Sequence, residues 1–294
     1  MNKFRLNWAR RCGEQKAAEF GFTSFPIDPF EIAEKVEIHV EAKPPDMDSV
    51  SGGIIFSGEE VGIFYSTSIA SEGFQRFTVG HELGHYFLEG HPAEILKAAP
   101  IHISRAGFTE GGSSIEIEAD HFASGLLLPT RLVTQVLHNG QIGLVGISEL
   151  SDLSKCSLTA CAIRAAECSP YPMAVVVSKG EHICYGFLSE GFKRLGHMTF
   201  PRKGAELPQS ATLEFNADPQ NVLMGRSVCQ QTSLEHWFGG PAGCDLDEEV
   251  VGLGSYGFTL SIFSSEEMPD DSDGDDEDET ALIESYTPKF AYGR

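Results

Sequence analysis

No stretch of this 294-residue sequence offers the roughly 18 uninterrupted apolar residues that a membrane span needs, so no membrane partner is expected. Basic residues are also scarce: 21 Lys and Arg stand against 43 Asp and Glu, for a formal net charge of −22. Tight nucleic-acid binding depends on neutralising phosphates with a basic surface. No basic stripe is visible, so direct nucleic-acid binding is not expected. The seven cysteines contain no Cys-x-x-Cys pair, which excludes a zinc knuckle or thioredoxin-like motif and leaves reduced thiols. The opening MNKFRLNWARRCGEQ has positive charge but no apolar stretch behind it, which predicts a cytoplasmic protein without a secretory signal.

What is present is unevenly distributed. Eleven acids and no Lys or Arg lie between Glu266 and Glu284, about half of the charge excess, and residues 265–282 are too acidic and too poor in apolar residues to fold. Before them the texture changes once. Residues 7–20 read as an amphipathic helix. Asp28 followed by Pro29 marks the start of a second, and the two β-like runs over 51–66 form a hairpin. A longer helix is predicted over about 72–89, and another runs from Ser113 or Ser114 to the stop at Pro129. Residues 147–168 have a helix, break and helix rhythm. From Tyr171 the segments MAVVVSK, HICYGFL and GLGSYGFTLSIFS alternate as strands do.

The chemistry concentrates in His81-Glu82-Leu83-Gly84-His85. Residues four apart on a helix share a face, so two imidazoles stand side by side, half of a tetrahedral zinc site. Glu82 projects beside them, where a carboxylate can take a proton from a zinc-activated water and later pass it to a leaving amine. Gly84 is read as room for a substrate or a strand. With ten histidines the pattern arises by chance on the order of once in a few dozen such chains, so its apolar helix and the acidic helix that follows give it weight. One zinc per chain is expected.

The third ligand is open at this level. Glu116 and Asp120 share a face of the later helix. One can ligate while the other accepts a hydrogen bond from a ligating histidine. Ser113-x-x-Glu116 also fits a capping box, which alone would explain Glu116. Glu118 points about 200° away from Glu116 by helical geometry and is a weaker alternative. His91 is another, since it stands where metzincins carry their third histidine. Those enzymes, however, turn at a glycine three residues after the second histidine, where this chain has Leu88, and a continuing helix would carry His91 away.

FPIDPFEIAEKVEIHV (25–40), FTVGHELGHYFLEGH (77–91) and EIEADHFASGLLLP (116–129), in that order and spacing, resemble the ImmA/IrrE family of zinc metallo-endopeptidases over roughly residues 5–170. The resemblance implies an α+β zincin-like fold, with His81, His85 and Glu116 as zinc ligands and Glu82 as general base. The family's common motif has Asn where this chain has Asp120. It further implies a cytoplasmic peptidase that cuts a helix-turn-helix repressor and so regulates transcription in a stress response or mobile element. The expected organisation is a peptidase domain over 1–135 and a helix-turn-helix-like connector over 136–169. A strand-rich module of unknown role over 170–264, the disordered acidic segment over 265–282 and a tail over 283–294 complete it. The connector has only Lys155 and Arg164 as cations, which favours packing or docking over DNA contact. A non-catalytic regulator that binds a repressor through the same fold is the competing reading, and an intact Glu82 disfavours it.

Overall fold

The computed structural model describes residues 3–43, 50–68, 71–104, 114–139, 143–169 and 171–265. Ser113, the candidate cap of Glu116, and the acidic stretch from Glu266 onward lie outside the described residues. The described chain falls into two compact units, residues 3–133 with 150–160 and residues 134–149 with 161–265. No described helix is long and apolar enough to cross a membrane.

The first unit opens with α1 (Lys3–Glu19) and α2 (Pro29–Lys35). Asp28 caps α2 by accepting a hydrogen bond from the Phe30 amide at 3.0 Å, with Pro29 in the first turn. Strands β1 (His39–Lys43), β2 (Gly52–Ser57) and β3 (Glu60–Ser66) follow, then α3 (Glu72–Phe87), α4 (His91–Ala98), β4 (Ile101–Ser104) and α5 (Ser114–Leu127). The sheet order is β1-β3-β2-β4, antiparallel except for the β1–β3 pair. β4 therefore lies at an edge. Ile54 of β2 and Ile63 of β3 face one another across the hairpin. They join Val79 and Leu83 of α3 and Phe122 and Leu126 of α5 in one core. Burying each such side chain contributes about 1.5–3 kcal/mol, and that fixes the rotation of α3 and α5 about their own axes. A slip of one residue would turn either helix by about 100° and expose its apolar stripe.

Three further helices follow, α6 (Thr130–Asn139), α7 (Leu144–Ser154) and α8 (Leu158–Cys168), the last two covering the segment with the helix, break and helix rhythm. Lys155, in the break between α7 and α8, has a left-handed φ of 60°.

The second unit is built on a fully antiparallel five-stranded sheet. It comprises β5 (Met173–Lys179), β6 (His182–Leu188), α9 (Glu190–Lys193), α10 (Ala211–Asn216), α11 (Pro219–Leu223), β7 (Ser227–Ser233), α12 (Leu234–Phe238), β8 (Asp245–Gly252) and β9 (Thr259–Ser264). The strand order is β6-β5-β9-β8-β7. Phe192, Trp237, Phe238 and Phe263 fill its core. One carboxylate enters that core, and it is fully engaged: Glu248 accepts hydrogen bonds from the Thr212 amide and hydroxyl at 2.8 and 2.7 Å and from Trp237 Nε1 at 3.0 Å. A buried acid so satisfied is a structural fixture of this unit.

Candidate metal centre

Ser71 caps α3 by accepting from the Phe74 amide, and the buried face of the helix carries His81, Glu82 and His85 inward. His81 Nε2 and His85 Nε2 lie 3.1 Å apart. Glu116 reaches the same point from α5, with its two oxygens 3.5 Å from His81 Nε2 and 3.3 Å from His85 Nε2. Atoms bound at zinc distances of 2.0–2.1 Å in a tetrahedron are about 3.3 Å from one another. Three nitrogen and oxygen donors gathered at that spacing fit a zinc ion. They are the one group of metal-competent side chains among the described residues.

Close contact between α3 and α5 brings these ligands together. A Cβ on Gly84 would stand 3.1 Å from Ala119 Cα and 3.2 Å from its carbonyl oxygen. The space at Gly84 is therefore taken by the backbone of α5 and not, as the sequence suggested, by a strand or substrate. One turn of α5 separates Glu116 from Asp120, whose Oδ1 lies 2.8 Å from His81 Nδ1. With its Nδ1 proton donated to Asp120, His81 turns the lone pair of Nε2 toward the site, the orientation a metal ligand needs. Burial opposes ionisation of Glu116, but His102, His81 and His85 around it outweigh burial and hold the carboxyl far below the usual range. The site thus presents an anionic oxygen, the form that ligates.

Glu82 is fully buried, and neither of its oxygens has an aligned hydrogen-bond partner among the described residues. Burial raises its pKa to about 7, against the pull of His81, of the Ser104 hydroxyl nearby and of His102. A carboxyl whose folded pKa lies above its unfolded value of 4.5 costs stability once the unfolded chain ionises and the folded one does not. The penalty is absent at low pH and grows as pH rises through the interval between the two values. Metal-free Glu82→Gln should therefore be the more stable protein at about pH 8, with an advantage over wild type about 2–3 kcal/mol larger than at about pH 5. Urea melts of both chelated proteins at the two pH values check this, and a pH-independent difference would contradict it.

His91 is placed differently from the expectation. The helix does not continue: α3 ends at Phe87, Gly90 adopts a left-handed φ of 94°, and His91 starts α4. This turn brings His91 Nδ1 to 3.2 Å from His85 Nδ1, the ring nitrogen facing away from the ligand cluster. Glu118, on the opposite side of α5 from Glu116, lies beside His91 with Oε2 3.3 Å from Nε2. The structure therefore gathers His81, Glu82, His85, Glu116 and Asp120 at one point, and sets His91 and Glu118 behind His85. Sequence reasoning missed His102. Its Nε2 is 2.9 Å from Glu116 Oε1, and its ring centroid is 4.5 Å from that of His85. The signal was the alternation Ile101-His102-Ile103-Ser104: both isoleucines are half exposed while Ser104 is buried, so His102 shares the inner face of β4.

Residues 33–164 match the family model of the M78 peptidases, described as the IrrE N-terminal-like domain. No curated protein matches the chain. Among solved structures, a Mycobacterium tuberculosis transcriptional regulator superposes with a TM-score of 0.57 at 15% identity, over 87% of this chain and 76% of that one. That similarity shows a shared fold. Residues 33–164, with their zincin-like α+β architecture, are thus an IrrE N-terminal-like domain of the M78 peptidase (ImmA/IrrE) family.

Proposed function

We propose that this chain is a zinc-dependent endopeptidase, and that its substrate is a helix-turn-helix transcriptional repressor in the cytoplasm. One observation carries the catalytic part: a buried carboxyl with no aligned hydrogen-bond partner, Glu82, stands beside three converging ligand atoms. A purely structural metal site has no use for such a group. His81, His85 and Glu116 hold the ion, and Asp120 orients His81. Zinc in that position supplies a Lewis acid that acidifies a water and polarises the scissile carbonyl. Glu82 takes a proton from the water as its oxygen bonds to the carbonyl carbon. It then delivers that proton to the departing nitrogen as the C–N bond breaks. The substrate must be extended to reach the centre. β4, at the sheet edge and carrying His102 toward Glu116, offers backbone groups with which an extended segment can pair. The cut accordingly falls in an exposed loop or linker of the target.

The identity of the target rests on the family and on charge. A chain with a formal charge of −22 attracts basic partners, and repressor DNA-binding domains carry the Lys and Arg that meet phosphate. Zinc-loaded protein mixed with a candidate repressor should give one cut, mapped by mass spectrometry. The cutting rate should fall as salt rises and when operator DNA covers the basic surface. A rate indifferent to both would refute the electrostatic part. A cut inside a packed helix would refute the extended-segment requirement.

A further inference from the structure

We propose that His91, Glu118 and Arg5 form a positioning chain behind His85 that sets its tautomer and ring orientation. This rests on the metal site described above. His85 Nε2 faces the ligand cluster, 3.1 Å from His81 Nε2 and 3.3 Å from Glu116 Oε1, so that nitrogen must keep its lone pair. The single proton of the neutral ring then sits on Nδ1. Facing it at 3.2 Å is another ring nitrogen, His91 Nδ1. Two like atoms can share only one proton, so His91 Nδ1 accepts and its own proton goes to Nε2. There Glu118 Oε2 accepts it at 3.3 Å.

Arg5 closes the chain with two donors. Its Nε lies 3.2 Å from Glu118 Oε1 and its terminal nitrogen 2.5 Å from Oε2, a bidentate pairing that fixes the carboxylate in plane. Every donor has one acceptor, and only one arrangement of protons satisfies all of them. Reversing it puts a hydrogen on His85 Nε2, where the metal must bind, and turns the lone pair of His91 Nε2 against a carboxylate. His85, His91 and Glu118 are 0%, 1% and 4% exposed, and Arg5, His91 and Glu118 also line an open cavity on the side away from His85 Nε2. Arg5 alone reaches the surface. The arrangement joins three elements that share no local sequence relation: α1, the turn into α4 at Gly90, and the face of α5 opposite Glu116. His91, Glu118 and Arg5 act through His85 and touch no reacting atom.

The direct test is a long-range proton–nitrogen NMR spectrum of the zinc-loaded protein. His85 should be protonated at Nδ1 and His91 at Nε2. A proton on His91 Nδ1 would overturn the proposal, and this measurement needs no variant to fold. Zinc affinity gives the second test. His91→Leu fills the space but removes both hydrogen bonds, and should weaken zinc binding about 10- to 100-fold. His91→Gln offers one acceptor and one donor on a single side chain and should stay within about threefold of wild type. Melting of the metal-free variants checks that each is folded. Equal affinities in both variants, whether lowered or unchanged, would overturn the chain while leaving the metal site standing. Wild-type protein that binds no zinc would overturn both readings.

Discussion

His81→Ala and His85→Ala should each emerge from purification without zinc, whereas the wild-type protein should carry one ion per chain. The donor set explains the size of the effect. Two nitrogens and one carboxylate oxygen lie within 4.8 Å of one another, and catalytic zinc sites are typically held by three protein donors. Removing either imidazole leaves two, with the fourth position already given to water and substrate. Glu116→Ala should do comparable damage, because its anionic carboxylate sets one oxygen against each histidine. Metal analysis by mass spectrometry after dialysis decides the matter. Full occupancy in the two histidine variants would remove the basis for the proposed function.

Glu82→Gln should keep zinc and fold yet lose proteolysis by about 10²–10⁴-fold, the contribution of a positioned general base. The amide matches the carboxylate in shape but cannot accept the proton of the attacking water. Full burial of Glu82 makes the substitution mild for the fold, since a neutral group replaces one whose charge burial disfavours. The same variant separates the two functional readings. A chain that regulates a repressor by binding alone would act normally with glutamine at position 82, whereas a peptidase would not. Cleavage assayed on a fluorogenic peptide spanning the mapped cut gives the rate. Regulation measured with an intact repressor gives the biological effect.

The strand-rich second unit shows where pattern reading reaches its limit. β5 is legible through its apolar run from Met173 to Val177 and β9 through the alternation of TLSIFS, and all but Lys179 of their residues are buried, as in central strands covered on both faces. β7 (SVCQQTS) lies at the edge with mostly exposed or half-buried positions. Its pairing with β8 runs through backbone hydrogen bonds that leave no mark on composition. Helices α9 to α12 are four to six residues long, too short for a helical period to register. Their caps at Ser189, Ser210, Asp218 and Ser233 become informative only once the strands around them are placed.

The same division runs through the candidate metal centre. Sequence by itself determined that His81 and His85 share one face of a helix with Glu82 beside them, because that relation depends only on local backbone geometry. It also narrowed the acidic contribution to a helix whose Glu116 and Asp120 face one way and Glu118 the other. Tertiary structure alone decided where those acids and the remaining histidines meet the first helix. The crossing of α3 and α5 at Gly84 and Ala119 sets Glu116 and Asp120 against His85 and His81, while the turn at Gly90 folds His91 onto the opposite nitrogen of His85. β4, paired with β2, delivers His102 to Glu116. These approaches join residues far apart in the chain, and their distances follow from how buried apolar faces pack, which no local periodicity encodes.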